Sequence, residues 1–86
     1  MKELERQLKA LANARRLSIL RNLKQKELLS VSALAGLLHL SFRSTSRHLA
    51  VLRAAGIVKF EQKDLLVFYF LPADLPPTAK FILDQL

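Results

Sequence analysis

The pattern of apolar residues changes at Gly56, and this change limits the folds open to the chain. Before Gly56, apolar residues recur at helical spacing, as they do over residues 4–11. After it, residues 57–60 and 65–70 are rich in β-branched and aromatic side chains, which is typical of strands. The sequence therefore predicts a mainly helical chain that ends in a β-hairpin and a short further segment.

Short polar residues mark where the helices begin. The phase of the apolar pattern shifts near Asn13, which predicts two helices between Leu4 and Leu23 with Asn13 as the N-cap of the second. Residues 24–29 then resemble a connection. The sequence predicts a bend between the two helices at Asn13.

A second pair of helices follows this connection. Ser30 or Ser32 can cap a short helix that ends near His39. After a tight turn, Ser41 caps a helix that runs to Ala55, where Gly56 can adopt the left-handed conformation. Two short helices joined by a tight turn, the second of them basic, are the ingredients of a helix-turn-helix.

The polar residues 61–64 predict the turn of the hairpin. Pro72 ends its second strand, and Pro76-Pro77 precede a last helix over residues 78–86, because proline suits a first helical turn. The predicted fold is mainly α with a β-hairpin, in the order α-α-α-α-β-β-α, over one domain of residues 1–86.

The net charge of +7 is unevenly distributed. Residues 1–56 carry eleven Lys and Arg against three Asp and Glu, whereas residues 57–86 carry three against four. A basic body favours a polyanionic partner such as DNA, RNA or an anionic membrane. The alternative is a solvated surface that happens to be rich in Lys and Arg.

The composition excludes several classes of function. There is no cysteine, so disulfides and thiolate metal sites are excluded, and two glycines are too few for a phosphate-cradling loop. No nucleophile–base pair is apparent, and we expect neither an enzyme nor a cofactor. The longest apolar run, residues 65–71, is too short to span a bilayer, and the charged N-terminus is unlike a signal peptide. We therefore expect a cytoplasmic protein without a membrane partner.

The predicted helix that begins after Ser41 has two distinct faces. At 100° per residue, one stripe consists of Arg43, Ser46, Arg47 and Ala50. The opposite stripe consists of Thr45, Leu49 and Leu52, with His48 at its edge. Small residues allow a helix to enter the major groove, and arginine can bind guanine or phosphate. An ordinary amphipathic helix with a solvated arginine face is the alternative.

Three segments resemble the arsenic-repressor (ArsR) family of winged helix-turn-helix regulators. Residues 11–20, LANARRLSIL, resemble the opening segment of that family. Residues 40–58, LSFRSTSRHLAVLRAAGIV, resemble its recognition helix and first wing strand, and residues 68–71, FYFL, its second wing strand. The resemblance covers roughly residues 8–71.

This resemblance implies a homodimeric repressor that binds double-stranded DNA at a two-fold-symmetric operator. It also implies that the first and last helices, residues 1–12 and 77–86, form the dimer interface. We expect DNA contacts from Ser41, Phe42, Arg43, Ser44, Ser46, Arg47, Lys59 and Lys63. We expect dimer contacts from Leu4, Leu8, Leu11, Phe81, Ile82 and Leu86. The alternative for this second set is that its members cover the core of their own chain.

The sequence departs from the family at its ligand positions. Metal-sensing members carry Cys-Val-Cys where this chain has Ser30-Val31-Ser32, and serine hydroxyls are poor ligands for soft metals. Other members bind a metal through Asp and His side chains on the last helix, where this chain has Asp84 and no His. We therefore expect no metal at either position. We also expect no metal role for His39 and His48, the first at a helix end and the second half-buried at the edge of the core.

Two further departures concern the DNA contacts. Phe42 stands where the family often has Gln, and it either touches a thymine methyl or packs inward. Asp64 stands at the wing tip where glycine is common, so only Lys59 and Lys63 offer phosphate contacts there.

Two other functions remain open on the residues alone. One is a winged-helix module for protein–protein contacts, and the other is a nonspecific architectural DNA binder. The sequence identifies neither an operator nor an effector, whether a small molecule or a protein, and it does not distinguish repression from activation.

Overall fold

The structure is a computed structural model that describes all 86 residues. The elements are α1 (Lys2–Leu11), α2 (Ala14–Lys26), β1 (Leu29–Ser30), α3 (Val31–Leu38), α4 (Phe42–Ala54), β2 (Lys59–Lys63), β3 (Leu66–Phe70) and α5 (Pro77–Leu83). This order confirms the predicted winged helix-turn-helix arrangement and adds one short strand, β1, to it.

Polar side chains cap the helices at the predicted positions. Oδ1 of Asn13 accepts hydrogen bonds from the backbone N–H groups of Arg15 and Arg16 at 3.0 and 3.1 Å. The hydroxyls of Ser30 and Ser41 each accept one from the amide three residues later, at 3.1 and 3.0 Å. These bonds satisfy amides that a helix start would otherwise leave unpaired, and they fix where α2, α3 and α4 begin.

The helix ends follow from backbone conformation. His39 ends α3 in the left-handed region with φ 54°, and Gly56 follows α4 with φ 75°, a conformation that glycine adopts without strain. The predicted connection over residues 24–29 is wrong in part, because α2 continues to Lys26. Lys and Gln are good helix formers, and no glycine or proline stops the helix earlier.

The sheet contains three antiparallel strands in the order β1-β3-β2. The strand that the sequence did not predict, β1, pairs Leu29 with Tyr69 and Ser30 with Phe68. Two residues are too few to show the alternation by which a strand is recognised. This pairing joins the hairpin to the start of α3, so the wing is held on the helical body.

The hairpin turn lies later than the sequence predicted. Because β2 extends to Lys63 and β3 begins at Leu66, the turn is Asp64 and Leu65, and the expected turn over 61–64 is wrong. Asp64 has φ 58°, a conformation that Asp tolerates better than most residues, and two-residue turns suit the twist of paired strands. All of β2 is exposed, so its last residues, 61–63, are polar and resemble a turn in the sequence.

The core lies among the helices and at the base of the hairpin. Ile57 and Val58, predicted as strand residues, precede β2 and are 0% and 1% exposed. The large hydrophobic side chains with almost no exposure are Ile19, Leu20, Leu23, Leu34, Leu49, Leu52, Ile57 and Val58. They belong to one cluster of fifteen buried residues that reaches from α1 to α5.

The last helix packs on the first. It spans Pro77–Leu83 rather than the predicted residues 78–86, with proline in its first turn. Thr78 Oγ1 donates a hydrogen bond of 2.6 Å to Gln7 Oε1 of α1, which ties the two helices together within one chain. None of the five helices has the length and apolarity needed to cross a bilayer.

Candidate nucleic-acid interface

The inward face of α4 anchors this helix in the core. Thr45, Leu49 and Leu52 are each 0% exposed. Thr45 Oγ1 donates a hydrogen bond of 2.9 Å to the carbonyl oxygen of Ser41, so its hydroxyl is paired despite burial. Because this face is fixed by packing, the opposite face has a defined direction, as the helical periodicity predicted.

The outward face of α4 carries the predicted arginine stripe. Arg43, Arg47 and Ala50 are exposed, and Ser46 is half-buried between them. Neither arginine side chain forms a hydrogen bond or an ion pair within the chain. Their Cα atoms are separated by about 6 Å along the helix axis, since each residue adds about 1.5 Å. Two unpaired cations on one stripe, with small residues between them, form a surface that suits a polyanionic groove.

Three further residues predicted to contact DNA, Ser41, Phe42 and Ser44, lie at the start of α4 beside Arg43. Phe42 is 60% exposed, so the alternative that it packs inward is wrong. It lines a shallow groove between α3, α4 and the hairpin, together with Ser32, Ser46 and Leu66. Ser41 is exposed and Ser44 half-buried, and the two are joined by the capping hydrogen bond.

The wing places its two lysines far apart, contrary to expectation. Lys59 pairs with Phe70 at the base of the hairpin, whereas Lys63 pairs with Leu66 beside the tip. Lys63 lies four positions after Lys59, so their Cα atoms are about 13 Å apart along the strand. Lys59 Nζ also lies 3.5 Å from a carboxylate oxygen of Asp74. Lys59 therefore lies at the base of the wing rather than at its tip, and its contact with DNA stays a prediction.

Two features of the wing were not predicted. Leu65 is 95% exposed at the tip. At the base, the Arg53 guanidinium carbon lies 4.6 Å from the centre of the Phe60 ring, a cation–π contact that joins the end of α4 to β2. Nothing local in the sequence pairs these residues, because the contact depends on how the hairpin folds back on α4.

His48 lies at the core edge of α4, as predicted. Its Nδ1 atom is 3.3 Å from Nη1 of Arg16 in α2. Burial and the nearby charges of Arg16 and Arg15 lower the pKa of His48 below its ordinary value. The imidazole is therefore held in its neutral form at neutral pH.

The predicted dimer residues divide into two groups. Leu4, Leu8 and Phe81 are exposed by 40%, 52% and 66%, so they form an apolar surface on α1 and α5. Leu11 is only 6% exposed, so the expectation that it is free for a partner is wrong. Ile82 and Leu86 are partly buried against the same core. The alternative that these residues cover their own chain is correct for Leu11 and partly correct for Ile82 and Leu86.

The positions that bind metals in ArsR-type proteins carry other chemistry here. The Ser30 hydroxyl accepts the hydrogen bond that caps α3, and Ser32 is exposed. Asp84 is exposed at the end of α5. No group of three or more His, Cys, Asp or Glu side chains comes together anywhere in the chain.

Comparisons with known proteins agree with this geometry. Residues 11–71 match the family HVO_A0114. The transcriptional activator HlyU of Vibrio cholerae is 48% identical over 64 residues, which are 74% of this chain and 58% of HlyU. The chain thus spans somewhat more than half of that relative's length. Reduced HlyU, whose structure is known, superposes with a TM-score of 0.81 at 37% identity, covering 98% of this chain and 84% of the other.

Two further solved structures share the fold. The homodimeric winged helix-turn-helix DNA-binding domain Mb0332 of Mycobacterium bovis has a TM-score of 0.83 at 30% identity, covering 94% of this chain and 72% of the other. The transcriptional repressor BigR of Xylella fastidiosa has a TM-score of 0.76 at 28% identity, covering 94% and 77%. With an HVO_A0114 match over most of its length and relatives of this kind, the chain belongs to the ArsR type of winged helix-turn-helix transcription regulators.

Proposed function

We propose that this chain acts as a homodimer that binds a two-fold-symmetric DNA operator through α4 and thereby regulates transcription. The observation that carries the proposal is the outward stripe of α4, where the unpaired Arg43 and Arg47 flank Ser46 and Ala50 opposite a fully buried face. The similarity to HlyU, Mb0332 and BigR supports it.

In this proposal α4 lies in the major groove. Ser46 and Ala50 are small enough for the helix backbone to approach the bases, while Arg43 and Arg47 bind guanine edges or phosphates. Phe42 is exposed and can touch a thymine methyl. Ser41 and Ser44 at the helix start, and Lys63 near the wing tip, contact the sugar–phosphate backbone.

The apolar surface of α1 and α5 is the proposed dimer interface. Leu4, Leu8 and Phe81 lie on two helices that already pack on each other, so a second chain related by a two-fold axis would cover both helices at once. Burying these side chains removes an exposed apolar patch from water. A two-fold dimer places two recognition helices about one DNA turn apart, which requires an operator of matching symmetry.

The relatives differ in whether they activate or repress transcription. Among the relatives, HlyU is an activator and BigR is a repressor. We propose repression, as the family resemblance implies. We also propose that the chain binds its operator without a metal, since the side chains at the Ser30 and Asp84 positions form no group that could hold one. A reporter gene behind the selected operator distinguishes repression from activation by the sign of the change in expression.

The first experiment is selection of bound duplexes from a random library, followed by affinity measurements over a salt series. We expect a two-fold-symmetric sequence that is preferred by about 10³-fold or more over random DNA, with affinity that falls steeply as salt increases. The doubly substituted Arg43→Ala, Arg47→Ala chain serves as the control and should lose both the preference and part of the salt slope. A wild-type chain that binds no duplex at low salt would contradict the proposal.

A second candidate is a protein–protein interaction module, which the bare Leu65 at the wing tip favours because it is 95% exposed. The same selection separates the candidates. Binding without any preferred sequence supports a nonspecific architectural role, and no binding to DNA supports the interaction module.

A further inference from the structure

The guanidinium group of Arg16 connects three helices. From α2, its Nε donates a hydrogen bond of 2.6 Å to the carbonyl oxygen of Ala10, and its Nη2 donates one of 3.0 Å to that of Lys9. These carbonyls belong to the last turn of α1 and lack partners within that helix. The third nitrogen, Nη1, lies 3.3 Å from His48 Nδ1 on α4. One side chain therefore joins the end of α1 to the middle of α4.

This arrangement requires a neutral His48. A guanidinium has only N–H donors, so Nδ1 of His48 must be the acceptor and the ring proton must lie on Nε2. The charges that lower the pKa of His48 are those of Arg16 and Arg15 on α2, and Arg47 is its neighbour along α4. On α1, the charged residues Lys2, Glu5, Arg6 and Lys9 line the cleft that Arg16 also lines. On α1 the ammonium group of Lys9 is paired with Glu5 at 3.6 Å. No carboxylate forms an ion pair with His48, so no such pair holds the ring in its charged form.

The helices that Arg16 joins carry the two surfaces of the proposed function. The exposed Leu4 and Leu8 lie on α1, and the arginine stripe lies on α4. In a dimer held by α1 and α5, the angle of α4 relative to α1 determines the separation of the two recognition helices. A contact between α1 and α4 therefore influences which operator spacing fits.

We propose that Arg16 and His48 act as positioning residues, and that they hold α4 at the angle the operator requires only while His48 is neutral. The inference rests on the proposed DNA-binding function. Protonation turns Nδ1 into a donor, which faces the donor of Arg16, and places a third positive charge beside Arg15 and Arg16. Operator binding loses its fixed geometry, whereas general attraction to phosphate does not weaken, since protonation adds positive charge. The preference for the operator over random DNA therefore falls in acid.

The test measures affinity for the selected operator and for a random duplex at about pH 7.5 and at an acid pH where the ring ¹⁵N shifts show His48 to be protonated, at constant ionic strength. For the wild-type chain we expect the ratio of the two affinities to fall by about fivefold to tenfold in acid. His48→Gln, which does not titrate, should keep its ratio constant. His39→Asn is the matched control because it removes the only other histidine and suits the left-handed backbone there; it should behave like the wild type.

Two measurements keep the inference testable if the His48 variant folds poorly. Arg16→Lys keeps the positive charge but cannot make all three contacts, so its ratio at about pH 7.5 should already be low and should change little in acid. Ring ¹⁵N chemical shifts of wild-type His48 should show the proton on Nε2 at the same pH. Circular dichroism at both pH values verifies that each chain is folded.

The outcomes separate this inference from the proposed function. A ratio that does not change with pH, an unaltered fall in His48→Gln, or a proton on Nδ1 would overturn the positioning role and leave operator binding intact. If no duplex is preferred over random DNA at about pH 7.5, the proposed function itself fails.

Discussion

Substitution of Arg47 by alanine separates a role in DNA binding from a role in the fold. The Arg47 side chain is exposed and makes no hydrogen bond or ion pair within the chain, so its truncation removes no such bond from the folded state. Alanine also favours helix more than arginine does. We therefore expect the free energy of unfolding to change by less than about 0.5 kcal/mol.

The effect on DNA binding should be much larger. A lost arginine contact to guanine costs about 1–3 kcal/mol. Both subunits of a homodimer carry the change at separate half-sites, so the costs add to about 2–6 kcal/mol for the whole operator. Affinity for the selected operator and for each single-base variant, measured by fluorescence anisotropy, gives this value. If Arg47 contacts a base, discrimination is lost at one position in each half-site. If it contacts phosphate, affinity falls equally on all sequences.

Lys26→Ala is the charge-matched control for this substitution. Lys26 is exposed at the C-terminal end of α2. It lies about 16 Å along the helix axis from Arg15, whose charge acts on His48 of α4, so Lys26 is at the end of α2 away from that contact. Its removal should weaken binding only slightly, through the lower net charge of the protein. Equal losses in the two variants, or unchanged binding in Arg47→Ala, would refute the assignment of α4 as the recognition helix.

Three further predictions test the core, the dimer and the titration of His48. Leu49→Ala should lower the free energy of unfolding by about 2–5 kcal/mol in urea, because Leu49 is 0% exposed, whereas Val51→Ala on the outer face should change it by no more than about 0.5 kcal/mol. Leu8→Glu should convert the dimer to monomers, as measured by analytical ultracentrifugation, whereas Leu28→Glu, at another exposed leucine, should leave the dimer intact. If the Leu8→Glu chain is still a dimer, the α1 and α5 surface is not the interface. Because the pKa of His48 is lowered on folding, the unfolded chain binds more protons below about pH 6.5, so stability present above that pH is lost as the pH falls. The loss should be smaller in His48→Gln, and equal pH profiles would contradict the shift.

Features that depend on neighbouring residues were predictable from the sequence. The Asn13 and Ser41 caps each use an amide within three residues, so the residue type and its position were sufficient to place them. The two faces of α4 follow from helical periodicity alone, and the burial of Leu49 opposite the exposed Arg47 confirms that reasoning.

Features that depend on distant pairing were not predictable. The contact between Arg16 and His48 joins residues 32 positions apart, and β1 becomes a strand only because β3 lies beside it. Leu4, Leu8 and Leu11 share one stripe of α1, and the sequence alone does not show where the core and α5 cover it. Only Leu11 is buried there, while Leu4 and Leu8 remain exposed. In each case the missing information was the relative position of whole elements.

The register of the hairpin explains why α4, rather than the wing, is the centre of the proposed interface. A later turn moves Lys59 to the base, where it faces Asp74, and leaves Lys63 as the single cation near the tip. Asp64 follows Lys63 directly, so the formal charges of this pair cancel, and the next residue, Leu65, is apolar. The tip therefore offers little net attraction to phosphate, while Arg43 and Arg47 are unpaired on α4. Most of the salt dependence of DNA binding should accordingly arise from the helix.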